Sequence, residues 1–129
     1  MRQEIRIEGL GPLISHYTDA VRFGNLLFIS GIVAFDSDGN VVGEGDVVAQ
    51  ARQVFDNMGR ILAEVGCGFE DVLTVTVFMT DINDRPKINP VREEVFGDAR
   101  PASTLIEISK LVYPELMVEI NAVAGIPGD

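Results

Sequence analysis

Hydrophobic and polar positions recur with two different periods along this chain, and those periods divide it into elements. Between Asp46 and Val65 the period is helical. Val47, Ala51, Val54, Phe55, Met58, Ile61, Leu62 and Val65 return every three or four residues, and Arg52, Asp56, Arg60 and Glu64 fall on the other side. Asp46 is a suitable N-cap and Gly66 and Gly68 stop the helix. Between Asp71 and Thr80 the period is two. Leu73, Val75, Val77 and Met79 share one face; Thr74, Thr76, Phe78 and Thr80 share the other.

Weaker signals fill in the rest. Residues 2–8 alternate as an edge strand does. Asp19–Phe23 and Leu26–Ala34 flank Gly24-Asn25, which predicts a hairpin with a two-residue turn. A second turn lies at Asp38-Gly39-Asn40. In "DINDRPKINPVREEVFG" a second helix is expected to start with Asn89 as cap and Pro90 as its first residue, because proline is disfavoured in a helix interior. Ala102–Ser109 and Leu116–Ala124 are the last two strands.

The order of strands, helix, strand, helix, strands predicts a single α+β domain over residues 1–129, a mixed sheet with two helices packed on one face. Its other face combines Thr74, Thr76 and Phe78 with Ser103, Leu105, Glu107, Met117, Glu119 and Asn121. That surface is too apolar for free exposure and too polar for a dry core, and faces of this kind are commonly closed by another subunit, leaving pockets at the seam.

Composition narrows the function. Twenty acidic residues against ten basic ones give a net charge of −10. Phosphate contacts need Lys and Arg, so neither nucleic acid nor an anionic membrane is an expected partner. The mean hydropathy of +0.22 is high for a small soluble monomer and fits subunit association. One cysteine, Cys67, excludes an intramolecular disulfide and suits a reducing compartment. The longest apolar run, Leu26–Phe35, is too short to span a bilayer and no secretory signal region stands at the N-terminus, so a cytoplasmic protein is expected.

No phosphate loop, dinucleotide fingerprint or metal-ligand cluster occurs, and one His with one Cys cannot build a zinc site. His16 could serve as a general acid or base; a surface loop histidine is the plainer reading. Tyr17 could offer its phenol to a ligand or simply anchor the loop. Glu107 and Glu119 are expected on the same sheet face, where a close pair could form an acid/base dyad or two solvated carboxylates.

Three blocks in order carry a family resemblance: "ISHYTDAVRFGNLLFISG", "VVAQARQVFDNMGRILAEVGCGFEDVLTVTVFMTDIND" and "RPASTLIEISKLVYPELMVEINAVA". Along nearly its whole length the chain resembles the Rid family, also called YjgF/YER057c/UK114. The resemblance implies a chorismate-mutase-like fold and a homotrimer with inter-subunit clefts. It also implies hydrolysis of reactive enamines and imines such as 2-aminoacrylate to 2-keto acids and ammonia, with no metal or organic cofactor.

Active members of that family carry a Pro-Ala-Arg-Ser-type motif whose arginine pairs with a substrate carboxylate, a match guanidinium geometry favours. The corresponding stretch here is Pro101-Ala102-Ser103-Thr104. Those members also place a glutamate on the last strand to position water. Here "VEINA" keeps the preceding Glu119 and puts Asn121 at that site. Tyr17 matches the pocket tyrosine, Ser30 and Gly31 match the backbone that lines the cleft, and Leu105 falls where a backbone group meets the ligand. Ser103 cannot neutralise a carboxylate, and Asn121 can orient water but cannot take its proton.

The resemblance therefore implies a deaminase-like hydrolase of a small imine, enamine or aminomuconate-like metabolite that differs from a standard 2-aminoacrylate deaminase. Tyr17, Asn121 and His16 are its catalytic candidates; Ser30, Gly31, Ser103, Leu105, Glu119 and Arg100 are its substrate-binding ones. A non-catalytic trimer that binds a metabolite or partner protein in the same cleft is the alternative.

Overall fold

The computed structural model describes residues 1–128. Six strands form one sheet: β1 (Arg2–Ile5), β2 (Ala20–Phe23), β3 (Leu26–Ile32), β4 (Val72–Met79), β5 (Ala102–Glu107) and β6 (Val118–Gly125). Their spatial order is β1-β2-β3-β6-β4-β5. All pairings are antiparallel except β4–β5, which is parallel because helix α2 (Arg85–Phe96) makes the crossover between them. Helix α1 (Val47–Glu64) packs beside α2 on the same sheet face. The expected α+β architecture is therefore present.

The helical period produces α1 as expected. Asp46 caps it by accepting a hydrogen bond from the Ala49 N–H. At its other end Gly66, at φ +76°, lets the Cys67 N–H reach the Leu62 carbonyl at 2.9 Å and the Gly66 N–H reach Ala63 at 3.1 Å, closing the last turn. Phe55 from α1, Phe69 and Phe96 from α2 meet edge to face, with centroids 5.5–6.0 Å apart. Beneath them Val54, Met58, Ile61 and Leu62 pack on Val75, Val77 and Ile120 of the sheet, all at most 2% exposed.

Four local expectations change. Helix α2 starts at Arg85, with Pro86 in its first turn and Pro90 inside it. Pro90 removes the one backbone bond that would reach Pro86, and burial of Ile88, Val91 and Phe96 offsets the loss. Leu73 leaves the core face: it is the extra residue of a bulge between Val72 and Thr74, and Val72 is buried in its place. The strands also stop short, β1 at Ile5, β3 at Ile32 and β5 at Glu107, and β6 begins only at Val118.

The fourth change matters most for function. In the parallel β4–β5 ladder Ser103, Leu105 and Glu107 lie beside Val75, Val77 and Met79, so they face the helices. On β6, Glu119 and Asn121 lie beside Phe78 and Thr76 and face the open side. Ser103 and Asn121 therefore sit on opposite faces of the sheet, as do Glu107 and Glu119, and no carboxylate dyad forms. Glu107 instead accepts a hydrogen bond from the Ile82 N–H at 3.0 Å.

Candidate functional site

A second bulge builds the centre of the open face. Ile29 pairs with Ala122 and Ile32 with Ile120, so Ser30 and Gly31 together oppose Asn121 alone. The extra residue lets Ile29 and Ile32 both point into the core, at 4% and 8% exposure. It also turns the Ser30–Gly31 backbone toward the open face. The Ser30 hydroxyl is committed to the Thr18 carbonyl at 2.5 Å, which ties the bulge to the segment that carries Tyr17.

Over this bulge lies a cavity of about 360 Å³, lined chiefly by Ile14, Tyr17, Ser30, Gly31, Phe35 and Glu119. Three features of the sequence thus meet at one place: Tyr17, the Ser30-Gly31 pair and Glu119, the glutamate of "VEINA". Glu119 is the only carboxylate among the described lining residues, and burial pushes its acidity toward a higher pKa than an ordinary glutamate has. A Cβ at Gly31 would lie 2.5 Å from the Glu119 Oε2 atom and 2.8 Å from its Cδ. Any side chain at position 31 would therefore displace the Glu119 carboxylate from where it lies. Gly31→Ala is expected to swing Glu119 off the cavity wall and to weaken ligand binding about tenfold or more while the melting temperature changes little, as ligand titration beside a thermal melt would show.

The part of the wall formed by Val33 and Phe35 is held from α1. Asn57, buried at 3% exposure, donates to the Phe35 carbonyl at 2.9 Å, and Gln53 donates to both that carbonyl and Asn57 Oδ1. Gln50 is fully buried and makes three hydrogen bonds: to the carbonyls of Gly43 (3.1 Å) and Glu115 (2.9 Å), and from the Met117 N–H (2.8 Å). These amides sit on the buried side of α1, among the apolar positions, and the helical stripe gave no sign of them. The segment that bears Tyr17 is anchored by buried Asp19, which accepts from Arg6 Nη1 at 2.6 Å and the Ile7 N–H at 2.7 Å.

The remaining candidates lie elsewhere. Asn121 is half-buried on the open face next to the bulge, outside the cavity wall. His16 is exposed and also off the wall, and Glu4 of β1 is held below the usual carboxylate range chiefly by its hydrogen bond from Arg2. Ser103 and Arg100 stand at the far edge of the sheet. There Arg92, Phe96, Gly97, Arg100 and Pro101 surround a second hollow of about 400 Å³. Leu105 is half-buried on the same edge strand. Within the single chain, then, the Tyr17–Gly31–Glu119 group and the Ser103 group are separate.

Comparison with known proteins bears on both groups. The family model described as endoribonuclease L-PSP matches residues 11–126. The chain belongs to this family, whose members are also called Rid or YjgF/YER057c/UK114 proteins. Among Rid relatives, the 3-aminoacrylate deaminase RutC of Acinetobacter baylyi is 35% identical over 92% of this chain and 94% of its own length. The 2-iminobutanoate/2-iminopropanoate deaminase of Mus musculus is 33% identical over 86% of this chain and 82% of its own. The crystal structure of the E. coli YjgF gene product superimposes with a TM-score of 0.86 at 31% identity, covering 95% of this chain and 98% of that one. The Rid fold thus extends through both hollows and the edge strand.

Proposed function

We propose that this Rid protein hydrolyses small imines or enamines to carbonyl compounds and ammonia in clefts between the subunits of a homotrimer. The observation that carries this reading is the gathering of Tyr17, Gly31 and Glu119 on one cavity, with Glu119 the cavity's only carboxylate among the described lining residues. Two relatives named as deaminases of an enamine and of imines support the reaction class. The open face supports association: Phe28 and Ile106 on it are 45% and 40% exposed in the isolated chain. Packing that face against a second copy would bring the edge strand of one protomer, with Ser103 and the Leu105 backbone, over the Tyr17 cavity of another.

In this scheme the Tyr17 phenol and the Gly31 backbone hold the substrate, and the Asn121 amide, which lies opposite the Ser30–Gly31 bulge on the same open face, orients water at the cavity's edge. An enamine first takes a proton from solvent at its β-carbon, and a neutral imine one at nitrogen, to give the iminium. The water oxygen then adds to the iminium carbon while ionised Glu119 takes one of its protons, leaving the neutral carbinolamine. Glu119 returns that proton to the nitrogen of the carbinolamine. The C–N bond then breaks, ammonia leaves with the bonding electron pair, and loss of the hydroxyl proton leaves the carbonyl. His16, off the cavity, has no part. Because Ser103 and Asn121 replace a guanidinium and a carboxylate, 2-aminoacrylate is not the standard substrate. An RNA substrate is disfavoured by the net charge of −10, whatever the family description names.

The test is to generate 2-aminoacrylate, 2-iminobutanoate and 3-aminoacrylate enzymatically in situ and to follow ammonia and carbonyl product. Wild type should accelerate at least one of these over buffer, and Ser103→Arg combined with Asn121→Glu should gain on 2-aminoacrylate. Equal rates for wild type and double variant on 2-aminoacrylate would remove the shifted specificity. No acceleration with any of them, together with thermal stabilisation by small acids, would replace the enzyme by the metabolite-binding trimer. Light scattering should return three times the 14.0 kDa chain mass; a monomer would sink the cleft.

A further inference from the structure

The edge-strand serine is not alone. Arg92, on the last turns of α2, donates from Nη2 to the Ser103 hydroxyl at 2.7 Å. The Arg92 guanidinium is half-buried, forms no ion pair among the described residues, and lines the 400 Å³ hollow together with Arg100. Exposed Glu93 also lines this hollow without bonding Arg92. In a chain with twice as many acids as bases, an arginine partly withdrawn from water and left without a carboxylate is conspicuous. Burial pushes its guanidinium below its usual range, although it stays charged.

We infer that Arg92, steadied by Ser103, supplies the cation that receives the substrate's carboxylate at the place where relatives use an arginine on the strand itself. This rests on the cleft reading above and names the ligand class for it: a small monoanionic carboxylic acid. The serine makes the exchange possible. Its small side chain leaves the space that an arginine at 103 would fill, and it removes the like charge that would repel Arg92. Its oxygen accepts from Arg92, which leaves its own O–H free to donate to the same anion. The two groups thus form a joined hydroxyl–guanidinium pair, with Arg100 at the rim. The carboxylate is consequently approached from the α2 side, which predicts a substrate range different from that of strand-arginine relatives.

The probes are 2-oxobutanoate and its neutral carboxamide, titrated calorimetrically into the full-length protein. Wild type should bind the acid about 10- to 100-fold tighter than the amide, and Arg92→Ala should bring the two affinities together. Ser103→Ala should weaken the acid about threefold to tenfold by freeing the guanidinium from its support. Arg92→Ala combined with Ser103→Arg should restore the preference for the acid. Equal binding of acid and amide by wild type, no binding of either, or an Arg92→Ala variant that keeps the preference would each overturn the inference. Should Arg92→Ala fail to fold, Arg92→Gln and the Ser103→Ala result decide in its place. The outcome also separates the two proposals. Arg92-dependent binding of the acid without imine hydrolysis removes the reaction and keeps this site. Hydrolysis whose KM for an anionic imine is unchanged in Arg92→Ala or Arg92→Gln removes this site and keeps the reaction.

Discussion

Glu119→Gln should lower the rate of imine hydrolysis by about 100-fold or more, the usual worth of a positioned proton carrier. Glutamine keeps the shape and the hydrogen-bonding reach, so a steric role for Glu119 would leave the rate nearly intact. The pH dependence gives a second readout. Burial raises the pKa of Glu119, and the proposed step needs its ionised form. Wild-type kcat/KM should therefore fall as pH drops, beginning above the ordinary carboxylate range, and the glutamine variant should lack that limb. Stability should move in the opposite sense. With a raised pKa the folded state binds the proton more tightly than the unfolded chain, so stability is lost as pH rises from the unfolded carboxylate value through the folded one. Glu119→Gln should accordingly melt higher than wild type at neutral pH, with the difference closing toward pH 4. A variant that retains wild-type turnover across this range would exclude Glu119 from the chemistry.

The largest loss of stability should come from Gln50→Leu. Leucine fills nearly the same volume in a position that is fully buried, so packing changes little. What disappears are the partners of the Gly43 and Glu115 carbonyls and of the Met117 N–H. Each stranded backbone group costs about 1–3 kcal/mol, and three give about 3–6 kcal/mol after allowing for some access to water. That is a large part of the whole stability of a domain this size. Urea unfolding would measure it, and a loss below about 1 kcal/mol would mean that water replaces the glutamine without penalty.

These two residues show what was legible and what was not. Helix α1 could be read because its apolar stripe is wide and its cap and stop residues are unambiguous. Gln50 and Asn57 could not, since a polar residue on a core-facing position acquires meaning only from the backbone groups of distant loops. The alternation in β4 was read correctly from Val75 onward, and the bulge that expels Leu73 has no mark in the local pattern. Strand β5 was the hardest. Its two faces, Ala-Thr-Ile and Ser-Leu-Glu, differ little in polarity, and at the sheet edge none of the six residues is buried. Only its pairing with β4 decides which face meets the helices. For the site, Tyr17, Ser30, Gly31 and Glu119 were named by resemblance and converge on one cavity. The Arg92–Ser103 contact could not be foreseen, because it arises from the crossover that sets α2 against the edge strand.

The cavity wall contributed by Val33 and Phe35 belongs to no strand, yet its carbonyls are hung on Asn57 and Gln53 of the longest helix. A ligand therefore meets a mould that is already set before it arrives. Little conformational entropy remains to be lost on binding, which favours tight capture of a short-lived molecule at low concentration. The same rigidity sets a ceiling on size, since a larger guest would have to break the helix's hold on the wall before it could enter.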